Sequence, residues 1–164
     1  MRMIATAAGL LLGLSALSGA HAASSTTTLF RVTDMDKSID FYTRLVGLKE
    51  ANRVPLGKGA FEIILSTTGK DHDTGVGLLY HPDNRTPVKH DYADDRIAFF
   101  VSTCDEVKER TAKIAAEGYK ILTPANQAKQ PMKTQAGNRT YCYSHFQDPD
   151  GYTLEFVQYD PSEK

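Results

Sequence analysis

The sequence predicts an α+β domain built from two tandem βαβββ modules, which form a curved mixed sheet around a ligand cavity. One observation behind this prediction is that a strand-like segment, an amphipathic helix and further strand-like segments occur twice in the same order. The other is that Val32 and Asp36 match Val101 and Asp105 at the same spacing along the chain. The repeat is weak in identity but consistent in the order of its elements.

The N-terminus has the pattern of a secretory signal peptide. Arg2 supplies a positive charge, an apolar run follows, and small residues form a cleavage pattern just before Ala23. The run is too short to span a membrane, and a buried N-terminal helix is the alternative. We therefore expect a signal peptide over 1–22 and a single domain over 23–164, in a secreted or periplasmic protein.

The first module is expected over about 26–82 and begins with a strand. Apolar residues at helical spacing follow in "DMDKSIDFYTRLVGL", and Gly47 is a plausible helix stop. The elements predicted for this module are a strand at 26–32, a helix at 34–48 and strands at 61–66 and 75–81.

The second module is expected over about 95–159, after a loop rich in Pro, Asp and Asn. Its helix should end at Gly118, and the acidic "DPDG" turn should join the two strands of a closing hairpin. The elements predicted here are a strand at 96–102, a helix at 104–118, a short strand at 119–123, a polar loop at 124–138 and strands at 139–147 and 152–159.

Composition excludes some classes of partner and leaves the cysteines open. The formal net charge is −1 and no cluster of Lys and Arg stands out, which argues against binding to nucleic acid or to an anionic membrane. Cys104 and Cys142 would meet an oxidising environment after export, so they form either a disulfide or two buried apolar side chains.

Strand alternation divides the side chains between two faces of the sheet. One face is almost purely apolar and suits the packing of two helices. The polar face carries Arg96, Glu155 and His145, and burying these groups unpaired would cost several kcal/mol. We therefore expect a partly wet ligand pocket there, with an outer, solvent-exposed sheet face as the alternative. The neighbours of these groups on the same face are Thr27, Phe100, Tyr141 and Tyr143.

Two segments resemble the vicinal oxygen chelate superfamily, which includes glyoxalase I, fosfomycin and bleomycin resistance proteins and extradiol dioxygenases. They are "RVTDMDKSIDFYTRLVGL", similar to the family's first strand and helix, and "DPDGYTLEFV", similar to its closing hairpin. With the repeat, the resemblance covers nearly all of 27–159. It implies the glyoxalase-like fold more strongly than any one activity, because this fold hosts unrelated chemistries.

The resemblance implies four metal-ligand positions, and they fall on Thr27, Leu78, Arg96 and Glu155. Of these, Glu155 alone keeps a ligand type of the family. Leucine cannot ligate a metal, arginine does not deprotonate and threonine is a poor neutral ligand. We therefore predict no cofactor and no metal ligands, and leave a divalent metal open as an alternative.

These residues favour an enzyme of lyase or isomerase type that acts on a small anionic organic molecule without the full family metal site. His145 is the expected acid or base, assisted by Glu155 and Tyr143. The expected substrate-binding residues are Arg96, Thr27, Tyr141, Leu78 and Phe100.

Two other functions remain open from the sequence. One is a non-catalytic binding or resistance protein, and the other is an atypical metal-dependent enzyme similar to lactoylglutathione lyase. The expected partner is a small-molecule ligand, with no nucleic acid and no membrane span in the mature protein. A homodimer is left open.

Overall fold

A computed structural model describes residues 27–71, 73–83, 86, 96–134 and 137–159, with the side chains of 126–140 and of Tyr159 left aside. The signal peptide expected over 1–22 lies outside the described residues. The elements are β1 (Thr27–Val32), α1 (Met35–Asp40) with a π-helical continuation (Phe41–Val46), β2 (Lys49–Gly57), β3 (Ala60–Ser66), β4 (Gly75–Tyr80), β5 (Arg96–Phe100), α2 (Cys104–Ala116), β6 (Ile121–Thr134), β7 (Gly137–Gln147) and β8 (Thr153–Tyr159).

The predicted α+β class and the order of elements are confirmed. The eight strands of the described residues form two four-stranded mixed sheets, ordered β1-β4-β3-β2 and β5-β8-β7-β6. In each sheet the first strand of the module pairs parallel with its last strand, and the remaining pairs are antiparallel. The strands β1 and β5 are therefore the equivalent edges of the two sheets.

Two edge strands differ from the sequence prediction. β2 was not predicted, and most of its residues are exposed because it pairs with one neighbour and lies at the edge of its sheet. Pro55 is tolerated there, and no apolar alternation marks the segment. β6 extends to Thr134, where a polar loop was predicted, and its pairing with β7 contains several register shifts.

Both helices begin with a side-chain cap that their sequence supplies. Asp34 accepts a hydrogen bond from the backbone of Lys37, and Thr103 accepts one from the backbone of Glu106. The π-helical continuation of α1 ends at Gly47, whose φ of 92° favours glycine. None of the helices among the described residues is long and apolar enough to cross a membrane.

One apolar core lies between the helices and the facing sides of both sheets. It includes side chains from β1, from the α1 segment, from α2 and from the closing hairpin. Phe41 of the first module packs against Phe146 of the second, with ring centroids 6.4 Å apart. This shared core occupies one side of each sheet, and neither of the described helices covers the opposite side, which we call the open face.

The "DPDG" turn joins the two modules through buried hydrogen bonds. The Tyr42 hydroxyl donates to Asp148 at 2.8 Å. Asp150 accepts from the backbone and hydroxyl of Thr33, at 2.9 and 2.6 Å, and from the Ser38 hydroxyl at 3.3 Å. The turn therefore holds the closing hairpin against the first strand and helix of the chain.

Cys104 and Cys142 form a disulfide, with their Cα atoms 5.3 Å apart. The bond ties the first residue of α2 to the middle of β7. Of the two readings that the sequence left open, the structure selects the disulfide.

Candidate functional site

The candidate site lies on the open face of the second sheet, where three neighbouring strands each contribute a polar side chain. Glu155 of the central strand β8 is the register partner of His145 on β7 and of Ala98 on β5. Arg96 lies two residues before Ala98 and therefore points to the same face. Because Ala98 is small, the Arg96 side chain can reach the carboxylate diagonally along the sheet.

The three polar side chains meet in one cluster. Arg96 Nε lies 3.4 Å from Glu155 Oε2, and Arg96 Nη1 lies 3.1 Å from His145 Nε2. His145 Nε2 is also 3.3 Å from Glu155 Oε1. His145 and Glu155 are both buried, whereas about half of the Arg96 side chain is exposed. The cluster thus has a buried base of two groups and a cation at its outer edge.

The contact with Arg96 determines the proton position on His145. A guanidinium can only donate, so Nε2 accepts from Nη1 in the neutral imidazole and the ring proton resides on Nδ1. Nδ1 lies 3.2 Å from the Thr123 hydroxyl oxygen, which can accept that proton's hydrogen bond. Burial lowers the pKa of His145, the Glu155 carboxylate acts to raise it, and the Arg96 charge lowers it further. The cluster therefore contains a neutral imidazole at neutral pH.

Glu155 avoids the cost of an unpaired buried charge through its contact with Arg96. The residue is 9% exposed, and Arg96 is the donor to its carboxylate in this tautomer, whereas His145 Nε2, 3.3 Å away, can donate only once the ring is protonated. Removing the guanidinium would leave a buried carboxylate beside a neutral ring, which is strongly unfavourable. The Arg96 guanidinium is therefore the group that offsets the buried charge of Glu155.

An aromatic row continues the site along β7. The rings of Tyr141 and Tyr143 lie 5.3 Å apart, and the rings of Tyr143 and His145 lie 5.1 Å apart. All three alternate onto the open face, as predicted. The two half-buried tyrosines provide an aromatic wall beside the charged cluster.

Two other predicted residues lie farther out. Phe100 follows Arg96 and Ala98 on the open face of β5 and is 71% exposed. Thr27 belongs to the first sheet, and its side chain lies next to Gly77. A Cβ atom added to this glycine would be 3.4 Å from the Thr27 methyl group. Among the described residues, no contact joins Thr27 to the cluster of Arg96, Glu155 and His145.

Leu78 does not line the site, which corrects the sequence prediction. It is fully buried in the apolar core, opposite Phe30 of β1 and Ile63 of β3. The β4 sequence "GVGLLY" has no charged or strongly polar residue to mark its outer side. The family resemblance gave a position for Leu78 in the sequence but not the face of the sheet to which its side chain points. Gly77 and Leu79 occupy the open face instead.

Two threonines of this region were not predicted from the sequence. Thr123 contacts His145 from β6, a strand that was predicted to end near that residue. Thr153 shares the open face with Glu155, and its hydroxyl is buried without a hydrogen-bond partner among the described residues. Alternation alone could have placed Thr153 on this face, but its isolation is a property of three-dimensional packing.

The donor set at the four inherited positions does not fit a divalent metal. Leu78 is in the core, and Arg96 brings a permanent positive charge to the third position. That charge is already matched by Glu155. No group of three or more His, Cys, Asp or Glu side chains that could hold a metal is found in the described parts of the chain.

The paired modules have counterparts in known proteins. The family model of the glyoxalase/bleomycin resistance protein/dioxygenase superfamily matches residues 21–156. The chain belongs to this superfamily. The predicted membership is therefore confirmed, and the glyoxalase-like fold follows from it.

Proteins named as lactoylglutathione lyases are among its relatives. A probable lactoylglutathione lyase of Synechocystis is 29% identical over 137 residues, which cover 80% of this chain and 92% of the relative. The lactoylglutathione lyase of Neisseria meningitidis serogroup A is 29% identical over 131 residues, or 80% and 87% of the two chains. Among solved structures, the glyoxalase I of Leishmania major aligns with a TM-score of 0.61 and 26% identity, covering 84% of this chain and 87% of that one.

Proposed function

We propose that this superfamily member is a metal-independent enzyme of lyase or isomerase type, which moves a proton on a small organic anion. The observation that carries the proposal is the direct contact of a neutral, buried His145 with Arg96 and Glu155. A base, a cation for the substrate's anionic group and a carboxylate that holds the cation are thereby adjacent.

The resting cluster implies an order of events. Before substrate binds, the Nε2 lone pair of His145 is occupied by a hydrogen bond from Arg96. A substrate carboxylate offers the guanidinium a charged, bidentate partner, which is stronger than a neutral ring nitrogen. As Arg96 turns toward the carboxylate, Nε2 can take a proton from the carbon next to the substrate's carbonyl group. Tyr143 lies beside the ring and can donate its hydroxyl to the developing negative charge.

Glu155 has a positioning role in this scheme. It remains 3.4 Å from Arg96 and keeps the guanidinium over the site. Once His145 is protonated, Glu155 Oε1 at 3.3 Å stabilises the imidazolium. The same carboxylate therefore supports both the resting and the protonated states.

A second candidate is a metal-dependent lactoylglutathione lyase, and the names of its relatives favour it. The donor chemistry opposes it, since Arg96 and Leu78 occupy two of the four ligand positions that the resemblance implies. A non-catalytic binding protein is the third candidate, because it would need the cation and the aromatic wall but no base.

Solvent exchange tests proton transfer whatever product the enzyme forms. The mature protein is incubated in D₂O with pyruvate, with lactate and with the adduct of methylglyoxal and glutathione, and loss of the C–H signals is followed by NMR. We expect exchange with a small 2-oxo acid such as pyruvate, unaffected by EDTA. His145→Ala should abolish the exchange and leave binding of the acid within a few-fold. Thr43→Val, on the outer side of the first helix, is the matched control.

Each remaining outcome selects one of the alternatives. Activity on the glutathione adduct that appears only with added zinc or nickel would establish the metal-dependent candidate. Binding without exchange would establish the binding protein. Exchange that survives in His145→Ala would contradict the assignment of the base.

Export is also part of the proposal. Its support is the N-terminal pattern of residues 1–22 together with the disulfide, since disulfides form and persist mainly in oxidising compartments. N-terminal sequencing of the protein from a cell-envelope fraction should begin at Ala23. A chain recovered intact from the cytoplasm would contradict export and leave the proposed chemistry unaffected.

A further inference from the structure

A cavity of about 370 Å³ lies where the two modules meet. Its lining comes from the edge strand β1 of the first module and from β5 and the start of β8 of the second. The lining residues are Thr28, Leu29, Phe30, Arg96, Ile97, Tyr152 and Thr153. The cavity therefore combines an apolar wall with one cation and three hydroxyl-bearing side chains.

Thr153 is the unusual residue of this lining. It is 1% exposed, and its hydroxyl is the one buried side-chain oxygen or nitrogen without a hydrogen-bond partner in the described part of the chain. A buried polar group in this state costs the protein stability. Such a cost is explained if the hydroxyl has a partner in the ligand-bound state.

Arg96 is the register partner of Thr153 and shares its face. Its Nε and Nη1 groups contact Glu155 and His145, respectively. Among the described residues, no acceptor for a hydrogen bond from Nη2 is found. About half of this side chain is exposed, so the guanidinium can bind an anion from its exposed side while Nε stays beside Glu155. Both residues line the same cavity, so an anion bound by Arg96 there would be near the hydroxyl of Thr153.

The charges of the site select a monoanion. Arg96 and Glu155 together are neutral. A ligand with one negative charge therefore gives the bound site a net charge of about −1. A dianion would place a second charge near the buried Glu155 carboxylate, where repulsion is weakly screened. The planar fork of the guanidinium also matches a carboxylate in a bidentate geometry.

We infer that this junction cavity is the subsite for the carboxylate of a small organic monoanion, held between Arg96 and the Thr153 hydroxyl, with its apolar part against Leu29 and Tyr152. This inference rests on the proposed function and identifies the class of substrate. Both modules are needed for it, because the apolar wall comes partly from β1.

Calorimetric binding of acetate, lactate and benzoate, with lactamide and benzamide as neutral controls, tests the subsite without requiring turnover. We expect binding of the acids and not of the amides. Thr153→Val should weaken binding of the acids by about 10- to 150-fold, the range for a hydrogen bond to a charged group, and Thr153→Ser should restore it. The same Thr153→Val variant should be as stable as the parent to heat, or more stable, because an unpaired hydroxyl has been removed.

The variants separate failure of the subsite from failure of the proposed function. If Arg96→Gln abolishes binding while Thr153→Val and Thr28→Val leave it unchanged, the subsite is wrong and the proposed function stands. Tighter binding of inorganic phosphate than of the acids would also overturn the monoanion assignment. If the acids bind as expected but the exchange assay shows no proton transfer, the subsite stands and the catalytic proposal fails. If no acid binds, both fail.

Discussion

Tyr42 of the first module donates its hydroxyl proton to Asp148 of the second module across 2.8 Å, and both side chains are buried. The backbone N–H groups of Asp150 and Tyr152 also donate to Asp148, at 2.9 and 2.8 Å. Burial nevertheless outweighs these bonds and raises the pKa of Asp148 to about 6. The joint between the modules therefore contains a carboxyl group that titrates in a mildly acidic range.

The first prediction concerns the pH dependence of stability. A raised pKa means that the folded state holds the Asp148 proton more tightly than the unfolded chain does, so its contribution is complete below about pH 4 and is lost as the pH rises through 6. From the pKa of about 6 and the ordinary 3.8, the loss is about 3 kcal/mol. Asp148→Asn should remove this pH-dependent contribution. Between pH 4 and pH 8 the parent should therefore lose more unfolding free energy than Asp148→Asn does, by about that amount.

Urea denaturation at the two pH values measures this difference, with Asp105→Asn as the control. Asp105 is exposed on α2, and its replacement should leave the difference nearly unchanged. Equal pH dependence in the parent and in Asp148→Asn would contradict the assignment.

The second prediction removes the donor on the other side of the same contact. Tyr42→Phe leaves one oxygen of a buried carboxylate without its partner, which should cost about 1–3 kcal/mol. The loss should be larger at pH 8 than at pH 4, because the ionised form of Asp148 depends more on the donor. Tyr119→Phe is the control, because the Tyr119 ring makes an edge contact with Phe41 and this contact does not involve the hydroxyl group. A loss independent of pH would indicate altered packing of the Tyr42 ring.

The third prediction concerns the disulfide between Cys104 and Cys142. The bond closes a loop with a sequence separation of 38 residues, for which chain entropy predicts about 4 kcal/mol of stabilisation. The double variant Cys104→Ala/Cys142→Ala should lose about that much unfolding free energy. Dithiothreitol should destabilise the parent by a similar amount and have no effect on the double variant. Destabilisation of both proteins by the reductant would contradict the disulfide.

The sequence identified the elements whose residues alternate clearly between apolar and polar. β8, with Glu155 between Leu154 and Phe156, could be assigned a core face and an open face without further information. β4 could not, because "GVGLLY" is apolar or glycine throughout, and Leu78 was placed on the wrong side. β2 was missed because an edge strand has little to bury and therefore carries little pattern.

Side-chain contacts were beyond what alternation can provide. Period 2 places Arg96, His145 and Glu155 on one face, but the reach of a guanidinium across Ala98 depends on the register of β5 and β8. The Thr123 contact requires the pairing of β6 with β7, which is interrupted by register shifts that no local signal reveals. That the Thr153 hydroxyl has no hydrogen-bond partner in the described parts of the chain likewise depends on the packing of several elements.

Arg96, His145 and Glu155 form one electrostatic unit with a neutral imidazole. The direct measurement is an NMR titration of the His145 ring nitrogens, assigned by comparison with His145→Ala. In the parent the pKa should lie below its usual 6.5, with the proton of the neutral ring on Nδ1. Arg96→Gln should raise this pKa and Glu155→Gln should lower it. If the two variants shift the pKa in the same direction, or if neither shifts it, the three side chains do not act together and the account is wrong.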